Sequence, residues 1–272
     1  MTWARFHASC RRHRNRAGAD FADTQAFYRS REAADLLGAP PPADALPSRL
    51  IDAMAGLDAA ARERALALYA DLDLDAQARA HAVPKRMLGY FGVLLVGLSL
   101  VCAVMAMFVF PSFREFFQTY EVPLGGAADL AHRLAPVVAV VVPLVCLVLG
   151  LMALALHRLL RLDHPARVGG LGRLLPGRLR RRYGTVFALV CAPVPNFANH
   201  AGDGVADALG DKGLTLEQEL KPLLGLHTDA LARESGRFAA VLLGVVASLI
   251  ALSLYAFMAG AYLPILRFGS VL

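Results

Sequence analysis

The sequence predicts an all-α integral membrane protein with three transmembrane helices and small cytoplasmic helical regions, arranged as a diverged tandem repeat. Three observations predict it. Apolar residues make up 57% of the 272, and they are concentrated in three charge-free blocks rather than spread at helix or strand periodicity. Arginines and lysines are sorted into alternate connecting stretches. The first and third blocks end on a shared motif.

The blocks are residues 87–110, 134–156 and 238–266, of 24, 23 and 29 residues without a charge. The shortest reaches about 34 Å as a helix, against a hydrocarbon core of about 30 Å. The third is longer than a span needs and has room to tilt. Inside a bilayer a single segment satisfies its backbone only as a helix. Pro136 lies near the start of the second block, and Pro143 lies centrally and predicts a kink. No apolar run precedes Met87, so the first block is expected to act as an uncleaved insertion signal.

The net charge is +6, and its placement sets the orientation. Of the 28 basic residues, 13 lie in 1–86 and 12 in 157–237, whereas 111–133 holds two and 267–272 one. The rich stretches belong in the cytoplasm. The expected order is therefore a cytoplasmic N-terminal helical region (1–86), a span, a periplasmic loop (111–133) and a second span. A cytoplasmic basic, helical region (157–237), a third span and a periplasmic tail (267–272) follow.

The soluble stretches read as follows. Residues 1–86 are expected to be mostly helical and loosely organised, with a linker at 38–43 and a solvated basic patch at 11–16. Leu50, Met54, Leu57, Leu66, Leu68, Leu72 and Leu74 supply the apolar positions of two helices. Phe110, Phe113, Phe116, Phe117 and Tyr120 are spaced like one face of a helix leaving the membrane. They suit an interfacial anchor or, alternatively, a partner surface. After the second block, Arg158, Arg161, Arg167, Arg173, Arg178, Arg180, Arg181 and Arg182 stand against one acid, Asp163. Such a cluster beside a span holds topology and meets anionic lipid. An acidic protein partner is the alternative, and nucleic acid is not expected. Helices are predicted near 186–191, 205–209 and 216–233, with turns at 193–195 and 211–213.

Little in the chain suggests chemistry. Cys10, Cys102, Cys146 and Cys191 form no CxxC pair, which argues against a disulfide framework or zinc site. No ionisable Asp, Glu, Lys or Arg lies in any block, which disfavours ion or proton transport. The nearest catalytic sets, Asn199-His200 with Asp203 and His157 with His164, flank a turn and a membrane exit. Gly169-Gly-Leu-Gly172 lacks the lysine and spacing of a phosphate-binding loop. The expectation is no enzyme, with no catalytic, cofactor-binding or metal residues. A membrane-bound enzyme or small transporter of an unrelated family with the same topology is the alternative.

The repeat aligns Ala103-Val-Met-Ala-Met-Phe-Val-Phe-Pro-Ser-Phe-Arg114 with Ala256-Phe-Met-Ala-Gly-Ala-Tyr-Leu-Pro-Ile-Leu-Arg267. Upstream, Asp75-Ala-Gln-Ala-Arg79 matches Asp229-Ala-Leu-Ala-Arg233. Each copy is expected to be a cytoplasmic helix running into a span that leaves the membrane through a Pro-x-x-Arg turn.

The ending Tyr262-Leu-Pro-Ile-Leu-Arg-Phe-Gly-Ser-Val-Leu272 resembles that of the type II secretion system protein F / type IV pilus platform protein family. Tyr262, Leu263, Pro264, Gly269 and Ser270 carry this resemblance. Pro111, Phe113 and Pro123 are similar to the family's outer segment, and Leu174-Leu-Pro-Gly177 to its loop after the second span. The soluble regions are shorter than the family's, so the chain reads as a short, diverged member. The resemblance implies an inner-membrane scaffold coupling a cytoplasmic assembly ATPase to pilin or pseudopilin assembly, without a cofactor. Implied partners are that ATPase, other platform subunits, pilin or pseudopilin helices and further copies of itself as a homo-oligomer. Arg173, Arg178, Arg180, Arg181 and Arg182 are the candidate contacts for a partner or for anionic lipids, together with the predicted helix at 216–233.

Overall fold

A computed structural model describes residues 2–16, 18, 20–31, 34–72, 74, 85–119, 126–160, 169–195, 197 and 203–262. All regular structure among them is helical. The chain divides into two compact units: Met1–Ala82 with Ala155–Ser235, and Val83–Leu154 with Gly236–Leu272.

The first unit begins with α1 (Thr2–Asn15), α2 (Phe21–Arg29), α3 (Ala34–Leu37), α4 (Leu46–Met54) and α5 (Ala59–Asp71). Asp20 and Asp58 cap α2 and α5 by accepting from the amides of Ala22 and Ala61. α1 packs against α5, α2 and α4. Its Trp3, Phe6 and Cys10, at helical spacing, are buried with Tyr28, Leu50, Ile51, Met54, Leu66 and Tyr69. Phe6 meets the Tyr69 ring edge-on at 5.0 Å.

This stretch is not loosely organised, contrary to the expectation, because α1 also buries polar side chains that bond to the other helices. Arg5 is fully buried and donates to the carbonyls of Tyr28, Ser30 and Gly38. Those carbonyls lie at the C-terminal ends of α2 and α3, where free acceptors and the negative pole of the helix dipole favour a cation. His7 accepts from the Leu74 amide at Nε2 and donates from Nδ1 to the Tyr69 carbonyl at 2.8 Å. His13 joins Thr24 and Glu63. The patch at 11–16 is likewise only partly solvated: Arg12 sits 4.1 Å over the Phe27 ring and Arg14 pairs with Asp71.

The middle stretch completes this unit. It contains a 3₁₀ turn (Gly169–Leu174), followed by α9 (Gly177–Cys191) and α10 (Asp203–Gly210). The basic run at 178–182 is therefore the first part of the helix predicted near 186–191. The Tyr69 hydroxyl donates to the Val190 carbonyl at 2.6 Å, capping the C-terminal end of α9 from α5. The N-terminal and middle stretches, far apart in the sequence, thus form one helical body. The turn at 211–213 is present, with Gly213 at φ 68°.

The second unit contains α6 (Lys85–Val104), a π turn (Met105–Val109) and α7 (Phe110–Thr119). The spanning part of α8 (Gly126–Leu160) and the part of α11 (Leu216–Phe257) from Gly236 onward, with a second π turn (Met258–Tyr262), complete it. Three helices are long and apolar enough to cross a membrane: Gly89–Thr119, Val140–Leu159 and Leu216–Gly260. In their most apolar windows only 17%, 33% and 11% of residues are buried by protein, which leaves most of the apolar surface for lipid. The chain is a membrane-embedded protein.

The seam between spans is narrow. Leu95, Leu98 and Cys102 pack with Val142, Cys146, Leu149, Leu242 and Val246. Ser99, Ser248 and Ser253 bond back to the carbonyls of Leu95, Gly244 and Leu249, so these three hydroxyl protons do not face lipid unpaired.

Helix α8 is continuous through Pro136 and Pro143. One expectation at the spans changes. Pro111 does not turn the chain, because α7 continues through it to Thr119. A proline lacks the amide that an α-helix needs and crowds the carbonyl four residues back. The π turn immediately before Pro111 shifts the register of the backbone bonds there. A π turn at Met258–Tyr262 occupies the aligned position in the third span, two residues before Pro264. The upstream match at 75–79 lies outside the described residues.

Candidate functional site

Helix α9 carries the arginines singled out by the sequence. Its inward face is Leu179, Tyr183, Val186, Phe187, Val190 and Cys191, all buried at helical spacing. Arg178 and Arg181 fall on the opposite arc and are exposed, and Arg180 and Arg182 are exposed on the two flanks. Arg173 is exposed on the preceding 3₁₀ turn.

The electrostatics of this face are one-sided. α9 has no acid in its first turn, and its N-cap, Pro176, makes no side-chain cap bond. Cations near a helix N-terminus oppose the helix dipole and cost roughly 0.3–1 kcal/mol each. The sequence keeps two there, Arg178 and Arg180. Among the described residues, the one acid within ion-pair reach of α9's arginines is Glu234, whose Oε2 lies 3.8 Å from Arg182 Nε. Such a face suits a polyanionic surface.

The other nominated residues are scattered. His157 lies half-buried on α8 and Asp203 begins α10, whereas His164, Asn199 and His200 lie outside the described residues. Pro111 and Phe113 sit on α7, and Tyr262 ends the second π turn. Pro123, Leu263, Pro264, Gly269 and Ser270 lie outside the described residues. Among the described residues no three His, Cys, Asp or Glu side chains gather into a metal-binding group.

Two adjoining clefts of about 450 and 360 Å³ lie between α5 and the start of α11, sharing Leu68 and Glu217. The groups with displaced protonation equilibria line neither cleft. Burial pushes the Cys10 and Cys191 thiols up to about 12 and raises the Tyr28 and Tyr69 phenols. That direction holds these groups protonated and suppresses nucleophilic or base chemistry.

Sequence reasoning missed Arg5, His7, His13 and Tyr69 as ties within the helical body. The usable signal was the Trp3-x-x-Phe6-x-x-x-Cys10 stripe, hidden in an arginine-rich start. Compared with family models, curated proteins and solved structures, the chain matches none.

Proposed function

We propose that the chain is a non-enzymatic platform protein of the bacterial inner membrane, at the base of a type II secretion or type IV pilus-like assembly machine. The observation that carries this reading is the repeated span ending. The stretches just before Pro111 and before Pro264 each form a π turn at the same aligned position. A duplicated span ending is what a tandem platform fold requires. The union of residues 1–82 and 155–235 in one helical body also supports it, since a platform that meets an ATPase needs a single soluble body.

On this reading the helical body faces the cytoplasmic assembly ATPase. The spans contact pilin or pseudopilin helices, other platform subunits and further copies of the chain. Energy comes from the ATPase, and the buried polar ties of α1 keep the body stiff enough to pass its movement on. The C-terminus lies in the periplasm. Co-purification of the full chain from detergent should recover the cognate ATPase or another platform copy. Recovery of neither, under conditions that preserve a known platform, overturns the proposal.

A further inference from the structure

We propose that Arg178 and Arg181, beside Arg182, form a docking face for the headgroups of anionic phospholipids at the edge of the bilayer that the chain spans. The argument begins with depth. Arg182 pairs with Glu234 on α11. Helix α11 is continuous through this point, and its charge-free stretch begins four residues later at Phe238. Four residues of helix advance about 6 Å. The headgroup layer on each side of the hydrocarbon core is about 5–8 Å thick. Arg182 therefore lies near the level of the headgroups, and Arg178 and Arg181 lie within about one turn of it along α9.

Charge supports the same occupant. Both side chains are exposed, and no described acid pairs with either. A guanidinium presents several donors in a planar fork that matches phosphate oxygens, which zwitterionic lipid neutralises and anionic lipid does not. The inward face of α9 is fully used in packing, so the arginines cannot turn inward to find partners. An acidic protein is the competing occupant. It would have to approach an arc already at headgroup depth.

The test uses the full chain in detergent, titrated with phosphatidylglycerol or phosphatidylcholine, with bound lipid counted by native mass spectrometry. The wild type should prefer phosphatidylglycerol. The R178Q/R181Q variant should lose on the order of tenfold in phosphatidylglycerol affinity, with phosphatidylcholine unchanged. The R178K/R181K variant keeps the charge and should keep most of the preference, and circular dichroism should show the same helix content for all three proteins. Unchanged phosphatidylglycerol binding by the glutamine variant overturns the proposal, as does equal loss in the lysine variant. Equal displacement of the lipid by inorganic phosphate would assign the face to a free anion instead. Loss of a co-purifying protein from the glutamine variant, with lipid binding intact, would assign it to that protein.

Discussion

A single methyl group added at Gly260 tests how the first and third spans fit together. Gly260 is buried in the second π turn, and α7 packs against that turn. A Cβ there would lie 2.4 Å from Phe110 Cε1, 3.1 Å from Cζ and 3.3 Å from Cδ1. Carbon pairs rest at about 3.5–4.0 Å, so the ring would have to move by about 1 Å. Phe110 is only 9% exposed, which leaves it little room. Overpacking of this kind costs roughly 1–3 kcal/mol, and alanine returns up to about 1 kcal/mol through its better helix propensity. The expected net loss for Gly260→Ala is about 1–2 kcal/mol, or several degrees in the thermal unfolding of the full chain in mild detergent. Phe110→Leu removes the two ring atoms closest to the new methyl. It should therefore cost less in the Gly260→Ala background than alone, a coupling that a double-mutant cycle measures. Wild-type melting of Gly260→Ala, or equal effects of Phe110→Leu in both backgrounds, would refute the close packing of Phe110 on this turn.

Three further outcomes are expected. Arg5→Ala leaves the carbonyls of Tyr28, Ser30 and Gly38 without their buried donor and should destabilise the chain by about 3 kcal/mol, read as a lower unfolding midpoint in detergent. Burial raises the Cys10 and Cys191 thiols from the usual 9 to about 12, so the folded state holds these protons more tightly than the unfolded state. Their contribution is fully present below pH 9 and is lost between pH 9 and 12, by up to about 1.4 kcal/mol per pH unit for each thiol. Melting at pH 8 and 10.5 should show the drop, and the C10A/C191A variant should show less of it. A reporter fused after Leu272 should be active outside the cytoplasm, and cytoplasmic activity would reverse the topology.

The spans were legible because a bilayer imposes a one-dimensional constraint. About 20 apolar residues without a charge cross it as a helix whatever the rest of the chain does. The arginine face of α9 was legible for a similar reason, since a run of exposed cations needs no distant residue to define it. Helix boundaries were less so. The sequence suggested an exit turn at Pro111, because proline removes an amide in any local view. In the folded chain a π turn precedes Pro111 and the helix continues through it to Thr119.

What the sequence determined by itself is the helical class, the three apolar spans, the repeated span endings and the basic stretch after the second span. All of these depend on composition and short-range spacing. What the tertiary structure decided is that residues 1–82 and 155–235 make one body. It also decided that Arg5 and Tyr69 cap helix ends from other elements, and that Gly260 must be small because Phe110 lies against it. Those facts rest on contacts across separations of 33, 121 and 150 residues. Such partners are set by the packing of whole helices, and no local pattern of residues encodes them.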